Sequence, residues 1–212
     1  QKTLYKMKKS GVTHVIMEVS SHGLDLNRVD YCHFDLGIFT NLSQDHLDYH
    51  KGMSEYFNCK KRFFTQCLGS SKKNNPIAIV NIDDPKGEIL LKSIKYKTIA
   101  VSTQKKTDAT GAAAIFSRDI KDDIRGLTGT FCLGAATFDF ASPLTGTFNL
   151  ENILCAAGAA HALDIPAHQI KKGIENCHSI PGRLEKIGNS IDRFLFVDYA
   201  HTPDALEHVL KA

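Results

Sequence analysis

Ligand-type side chains follow two apolar segments near the start of the sequence. Glu18 lies near the carboxyl end of apolar residues 12–19, and an Asp-His-Leu-Asp-Tyr-His run at residues 45–50 follows apolar residues 34–40. In an open α/β sheet, ligands bind in the crevice outside the carboxyl ends of the strands. Both groups therefore predict a chemical site at one edge of a sheet. A carboxylate inside an apolar strand must be paired, or bind a cation, or carry a large desolvation cost.

The sequence leaves open whether the cation at this site is a basic side chain or a metal ion. A salt bridge to a neighbouring Lys or Arg satisfies Glu18, and loops such as residues 45–50 often only cap a helix or form turns. His46 and His50 have the HxxxH spacing that can hold zinc on a helix. Gly52 and the loop-like composition disfavour a helix there, and no cysteine accompanies the pair at zinc-ligand spacing. Zinc is therefore the weaker interpretation.

Lys60 lies within a helix that the sequence predicts over residues 53–64. Phe57 and Phe64, three and four residues away, place Lys60 on the apolar side of that helix. A lysine on an apolar face commonly extends its ammonium group to water. The alternative is a buried lysine whose neutral amine can react. The residues around Lys60 leave both interpretations open.

Four polar residues in the second half of the sequence are candidate nucleotide contacts. Asn149 and Asn152 are three apart at the start of an alanine-rich helix, where one can cap the helix or both can present amides to a flat heterocycle. Arg183 follows a Pro-Gly pair, a rigid turn from which a guanidinium can reach a phosphate. Asp198 follows a predicted strand and can accept hydrogen bonds from ribose hydroxyls.

Apolar runs and their breaks predict an α/β fold. We expect strands at residues 12–19, 34–40, 76–82 and 98–101, helices at residues 3–10, 53–64 and 84–94, and a polar loop at residues 20–29. Asp84 before Pro85 is typical of a helix start. This order predicts a mostly parallel sheet flanked by helices. Partly alternating segments at residues 112–120, 127–133 and 136–140 predict a small antiparallel meander attached to it.

The chain is predicted to contain one large domain and the start of another. Two helices are expected at residues 148–163 and 166–176, and the break at residues 179–183 is typical of a domain edge. A strand at residues 194–197, a polar loop and a helix at residues 204–211 then begin a new unit. We therefore predict domains at residues 1–186 and 187–212.

Composition favours a cytoplasmic protein and disfavours membrane and nucleic-acid binding. Of 212 residues, 42% are hydrophobic and 23% charged, and no apolar run approaches the roughly 20 residues that span a bilayer. A net charge of +3 is too small to indicate nucleic-acid binding. The six cysteines show no CxxC spacing and are expected to be free thiols in a reducing compartment. The sequence starts without Met, so we expect a part of a longer chain.

Four segments, in this order, resemble those of the Mur ligases, the ATP-dependent amide-forming enzymes of peptidoglycan synthesis. They are Glu-Val-Ser-Ser-His-Gly-Leu at 18–24, Thr-Asn-Leu-Ser-Gln-Asp-His-Leu-Asp-Tyr-His at 40–50, Gly-Thr-Phe-Asn-Leu-Glu-Asn at 146–152 and Val-Asp-Tyr-Ala-His-Thr-Pro-Asp-Ala at 197–205. They are most similar to the branch that adds the third residue of the stem peptide. The resemblance implies a P-loop-NTPase-like central domain and the start of a Rossmann-like C-terminal domain.

The resemblance also implies roles for residues near the first two segments. Glu18 and His46 match ligands for two magnesium ions, and Lys60 matches a lysine that carbon dioxide converts into a carbamate, an anionic metal ligand. His46 and Lys60 are thus the expected catalytic residues. Imidazole is not a preferred magnesium ligand, which leaves manganese as an alternative. Ser20 and Arg28 match contacts to the muramoyl-peptide substrate.

On the nucleotide side, the resemblance implies that Asn149 and Asn152 contact adenine, Arg183 a phosphate and Asp198 a ribose. The implied reaction has two steps. The carboxylate of a UDP-muramoyl-dipeptide attacks the γ-phosphate of ATP, and the amine of a diamino acid then displaces phosphate from the acyl phosphate. The diamino acid is meso-diaminopimelate or L-lysine, and the enzyme is expected to be a monomer.

One family motif is absent from the sequence. It contains no Gly-x-x-x-x-Gly-Lys-Ser/Thr run, the loop that cradles phosphates. We expect that loop to lie upstream in a longer protein, so this chain alone should not ligate. A folylpolyglutamate-type ligase of the same fold and a non-catalytic nucleotide- or metal-binding module remain the alternatives.

Overall fold

The computed structural model describes residues 2–43, 49–73, 75–104, 113–190 and 193–211. The helices are α1 (Lys2–Lys9), α2 (Ser21–Asp25), α3 (Met53–Arg62), α4 (Pro85–Leu91), α5 (Thr147–Ala162), α6 (Ala167–Glu175) and α7 (Pro203–Lys211), with a π-helical segment at Phe63–Leu68. The strands are β1 (Leu36–Phe39), β2 (Ile77–Asn81), β3 (Thr98–Ser102), β4 (Ala113–Asp123), β5 (Gly126–Leu133), β6 (Ala136–Ser142), β7 (Glu185–Ser190) and β8 (Arg193–Val197).

Six strands form one mixed sheet in the order β1-β2-β3-β4-β5-β6. Strands β1 to β4 are parallel to one another, and β5 and β6 continue the sheet antiparallel. The predicted parallel sheet and the attached antiparallel meander are therefore both confirmed. Strands β7 and β8 form a separate antiparallel hairpin, of which the sequence predicted only the second strand.

Strand β2 divides the core into two halves, one on each face of the sheet. Ile77 and Ile79 belong to the half that α5 and α6 cover. Ala78 and Val80 belong to the half that the segment from α2 to the π-helical turn and α4 cover. This alternation follows the two-residue period of a strand, and burial on both faces is typical of a parallel sheet.

Gly158 allows α5 to lie close against the sheet. A Cβ at this position would meet the Ile79 Cγ2 and Val101 Cγ1 atoms at 3.0 Å each. The glycine therefore sets the depth of α5 on the sheet, and that helix carries Asn149 and Asn152.

The prediction of a buried strand at residues 12–19 is wrong. The segment has no regular secondary structure and is largely exposed, with Ile16 97% accessible. Apolar β-branched residues predict a strand only where a neighbour completes the hydrogen-bond ladder. In the described sheet, β1 pairs with β2 and does not pair with this segment. Glu18 is consequently exposed rather than buried among apolar side chains.

Two further segments differ from their prediction. The polar loop expected at residues 20–29 contains the short helix α2, which starts where Ser20 caps it. The helix expected over residues 53–64 continues as a π-helical turn to Leu68. Phe63, Phe64 and Leu68 are buried in that turn, so packing of the apolar side chains accompanies the longer helix.

Among the described residues, no helix has the length and apolar character needed to cross a membrane. The six cysteines are free thiols, as predicted. Burial raises the pKa of Cys155 to about 12. This thiol is therefore protonated at neutral pH, a state in which a cysteine is a poor nucleophile.

Candidate functional site

The carboxyl ends of the parallel strands β1, β2 and β3 lie at one edge of the sheet, where the Asn81 side chain connects the end of β1 to α5. Asn81 is the last residue of β2 and is 1% exposed. Its Nδ2 donates to the Thr40 carbonyl after β1, at 2.8 Å, and to Glu151 Oε2 on α5, at 3.1 Å. The edge that the sequence predicted as a ligand site is therefore organised by a residue that the sequence reading missed.

Two carboxylates close to Asn81 in sequence accept hydrogen bonds from the loops at this edge. Asp84 caps α4, as predicted, since its Oδ1 accepts from Lys86 N at 2.7 Å. Its Oδ2 accepts from Leu42 N at 2.5 Å. Asp83 accepts from the Ser102 hydroxyl at 2.7 Å and from Thr103 N at 2.6 Å. The loops after β1 and β3 are thus both held by the turn that follows β2.

Glu151 is a half-buried carboxylate close to those two aspartates. Burial raises its pKa, and repulsion from Asp83 and Asp84 raises it further. The hydrogen bond from Asn81 and the nearby His208 of α7 act in the opposite direction. The negative charge of Glu151 therefore carries a free-energy cost at neutral pH.

Lys60 is half-buried on α3, and its ammonium group reaches the surface. Its Nζ donates to the Asn41 carbonyl at 3.1 Å and lies 4.8 Å from the centroid of the Tyr56 ring. Both contacts favour the positively charged form of the side chain. The structure thus shows the apolar stem covered and the charge near water, as in the first of the two interpretations left open by the sequence.

Aromatic and imidazole rings pack beside Lys60. His50 is 4% exposed and stacks on Tyr56, with ring centroids 5.2 Å apart and planes at 17°. Tyr49 packs against His22 at 3.8 Å between centroids, and its hydroxyl donates to Asp25 Oδ2 at 2.5 Å. That hydrogen bond raises the pKa of Tyr49. The signal for Tyr56 was its position four residues before Lys60 on the same helix face.

The predicted substrate contacts Ser20 and Arg28 flank α2. Ser20 Oγ accepts from Gly23 N at 3.1 Å and so caps this helix. Arg28 is exposed. The segment is tied to α3 by Arg62, which donates to the Leu24 carbonyl at 2.9 Å and to both Asp30 carboxylate oxygens at 3.1 Å. Arg62 therefore holds the segment of Ser20 and Arg28 against the helix that carries Lys60.

The two predicted adenine contacts differ in their surroundings. Gly146 is the N-terminal cap of α5, so neither asparagine caps the helix. Asn149 is buried, and its Nδ2 donates to the Thr145 carbonyl at 2.7 Å. Asn152 is exposed. Its amide therefore faces solvent, while the Asn149 donor already has a backbone partner.

The structure brings Arg183 and Asp198 to the same end of the β7–β8 hairpin. The Asp198 carboxylate accepts from Leu184 N at 2.6 Å and from Ala200 N at 2.7 Å. Arg183 directly precedes Leu184 and is exposed. A phosphate contact and a ribose contact at these positions would therefore lie close together.

Of the three predicted metal ligands, the structure describes Glu18 and Lys60. Glu18 lies in the exposed segment before α2. The Lys60 amine contacts the Asn41 carbonyl and the Tyr56 ring. His46 lies outside the described residues. Within the described ranges, no group of three or more His, Cys, Asp or Glu side chains is arranged to hold a metal ion.

Comparison with known proteins finds a matching family and similar solved structures. Residues 1–160 match the family described as Mur ligase middle domain. The UDP-N-acetylmuramoyl-L-alanyl-D-glutamate–2,6-diaminopimelate ligase of Geobacter metallireducens is 42% identical over the whole chain, which spans 40% of that relative's length. A solved structure of a ligase of the same name superposes with a TM-score of 0.81 at 32% identity, covering 99% of this chain and 42% of that one.

A second group of solved structures shares the fold at lower identity. The apo form of the L. casei FPGS superposes with a TM-score of 0.70 at 17% identity, covering 98% of this chain and 48% of that one. This likeness shows a shared fold, the mostly parallel sheet with flanking helices.

Proposed function

This chain belongs to the Mur ligase middle-domain family, and from that membership we propose that it works in an ATP-dependent ligase of peptidoglycan synthesis. The ligase joins 2,6-diaminopimelate to UDP-N-acetylmuramoyl-L-alanyl-D-glutamate. One observation carries the proposal: relatives with that name are about 40% identical over the full 212 residues. The same names favour diaminopimelate over L-lysine, which the sequence had left open.

The family implies dependence on ATP and Mg²⁺. In the proposed reaction, the substrate carboxylate takes the γ-phosphoryl group of ATP, and the diamino acid then displaces phosphate from the acyl phosphate. Such a reaction needs positioning and charge neutralisation more than covalent help from side chains. The chain's own contribution is therefore to hold the nucleotide segment and the substrate segment in a fixed arrangement.

We assign the substrate side to the segment that Arg62 ties to α3. Arg28 is exposed, so its guanidinium is accessible to an anionic substrate. Ser20 has its Oγ engaged as a helix cap, which orients its hydroxyl for a further hydrogen bond as donor. Their neighbourhood to the helix of Lys60 supports a site in which the substrate carboxylate lies near that lysine.

We assign the nucleotide side to α5 and the β7–β8 hairpin. Asn152 and Arg183 are exposed and suited to direct contacts with adenine and phosphate. Asn149 shapes the first turn of α5 through Thr145. Asp198 retains free lone pairs on both oxygens beside its two backbone donors, which suits a ribose hydroxyl.

The metal-binding part of the proposal rests on the family motif. Glu18, His46 and Lys60 as a carbamate are the proposed ligands for two Mg²⁺ ions, or Mn²⁺. A carbamate reverses the charge of the Lys60 side chain, so it would lose the cation–π attraction to Tyr56, while its remaining Nζ–H can still donate to the Asn41 carbonyl.

The test is ligation by the complete protein that contains this chain, supplied with ATP, Mg²⁺ and the UDP-muramoyl-dipeptide. We expect a product whose mass includes 2,6-diaminopimelate, formed with a higher kcat/KM than with L-lysine. The 212-residue chain assayed alone is the comparison, and we expect no product from it. Absence of product from the complete protein with either diamino acid would refute the proposal.

We also propose a cytoplasmic monomer.

A further inference from the structure

Asn81 is a buried amide that contacts three separate parts of the chain. Its Nδ2 donates to Thr40 O and to Glu151 Oε2, and its Oδ1 accepts from Asp83 N at 3.0 Å. A 1% exposed side chain leaves little room for water to replace these contacts. Loss of a buried partner costs more than loss of an exposed one, so the three contacts should be retained together.

The contacts of Asn81 lie on a path between the two sides of the proposed site. Lys60 Nζ bonds to the Asn41 carbonyl, and Asn41 directly follows Thr40. Asn81 connects Thr40 to Glu151, which lies on α5 between the two candidate adenine contacts. The lysine and the nucleotide helix are thus joined through one amide and one carboxylate.

The half-buried position of the Glu151 carboxylate costs free energy, which indicates a role beyond solubility. It is half-buried, and Asp83 and Asp84 repel its charge. An uncharged side chain at this position would avoid both effects. Its hydrogen bond from Asn81 is the contact that orients its carboxylate toward the strand ends.

We propose that Asn81 and Glu151 are positioning residues that hold α5 at a fixed distance from the Lys60 side of the site. The inference rests on the proposed function, because it treats Lys60 and α5 as the two sides of one ligase site. Misplacement of reacting groups by about 1 Å can lower a rate by about a hundredfold. Loss of the contact to α5 should therefore weaken nucleotide binding, and loss of the contact to Thr40 on the Lys60 side should also slow turnover, beyond any effect on stability.

The test uses four variants of the complete ligase: Asn81→Ala, Glu151→Ala, Glu151→Gln and the control Ser117→Ala. Ser117 is 2% exposed, and its hydroxyl donates to the Thr103 carbonyl at 2.8 Å. The control thus removes a similar buried hydrogen bond, which runs from a hydroxyl on β4 to the backbone carbonyl of Thr103 after β3. KM for ATP, kcat, and Tm are measured for each variant, together with direct titration of a non-hydrolysable ATP analogue.

Glu151→Ala should raise KM for ATP and the dissociation constant of the analogue about tenfold, with kcat changed less than about threefold, since a hydrogen bond to a charged group is worth about that factor. Glu151→Gln should stay within about threefold of wild type in all parameters because its amide oxygen still accepts from Asn81. Asn81→Ala loses the link to Thr40 as well, so kcat should also fall about tenfold or more. Ser117→Ala should lower Tm only.

Unchanged KM and analogue affinity in Glu151→Ala, with a loss of Tm like that of Ser117→Ala, would overturn the inference. Glu151→Ala decides the outcome even where Asn81→Ala fails to fold, because Glu151 is only half-buried. A wild-type protein that binds the analogue but forms no ligation product would refute the proposed function instead. The analogue titration of the variants would then still decide whether Asn81 and Glu151 position α5.

Discussion

Replacing Arg62 by methionine should loosen the segment that carries the proposed substrate contacts. Arg62 donates to the Leu24 carbonyl at 2.9 Å and to the Asn27 side-chain oxygen, and it pairs with Asp30 at 3.1 Å. The two charged side chains of the ion pair are 27% and 33% exposed. Methionine keeps most of the apolar stem and removes the guanidinium. The substitution therefore isolates the polar contacts from packing.

The contacts differ in expected strength. A partly exposed ion pair contributes about 0.2–1 kcal/mol, while a hydrogen bond from a charged donor to a carbonyl contributes about 1.5 kcal/mol at its lower limit. Together they hold the α2 segment to α3 by about 2 kcal/mol, which corresponds to about a thirtyfold change in a local opening constant. Asp30→Asn removes only the ion pair and should change the opening constant by about fivefold or less.

Amide hydrogen exchange followed by mass spectrometry measures this opening directly. Peptides that cover residues 21–30 should exchange about thirtyfold faster in Arg62→Met, while peptides from α5 serve as the internal reference and stay unchanged. Salt at 0.5 M should weaken the Asp30 contribution and leave most of the Leu24 contribution, because screening acts mainly on the exposed pair. Equal acceleration in Arg62→Met and Asp30→Asn would refute the assignment of the larger share to the hydrogen bonds with Leu24 and Asn27.

Three other predictions concern the site and the core. In the complete ligase, Lys60→Ala should abolish ligation, and a small carboxylic acid should restore part of it; full activity of the variant would exclude the carbamate. Phe131→Ala removes a ring that is fully buried and stacked on Phe140 at 4.0 Å, so we expect a loss of about 3–5 kcal/mol, visible as a lower denaturation midpoint. Glu151 has a folded-state pKa above its unfolded value, so its charge lowers stability above the folded pKa, and protonation removes this cost as pH falls. Glu151→Gln should therefore have a higher Tm than wild type at pH 8, and the difference should disappear near pH 4; a constant difference across this range would contradict the sign.

Local features of the fold were predictable because their causes are local. The apolar β-branched residues of β2 and β3 predict strands buried on both faces, and an aspartate before a proline predicts the start of α4. Both predictions are confirmed. The segment at residues 12–19 carries the same kind of signal and forms no strand, since a strand also requires a neighbouring strand, which composition does not specify.

In the proposed site too, the sequence selects candidate residues and the structure decides their surroundings. Residue types and motif order alone select Glu18, Ser20, Arg28, His46, Lys60, Asn149, Asn152, Arg183 and Asp198 as candidates, and their roles in the ligase remain predictions. For Lys60, only the structure decides that the charge lies at the surface over Tyr56. For Asn149, only the structure reveals an amide already bound to Thr145.

The sequence by itself determined most of the elements and indicated the family, because apolar periodicity, helix caps and motifs each involve only a short stretch of chain. The tertiary structure decided what joins those elements. Asn81 contacts Thr40 across 41 residues and Glu151 across 70 residues of sequence. Such contacts have no periodic signature, since they depend on which strand ends meet at a sheet edge and on how deeply α5 packs against Ile79 and Val101.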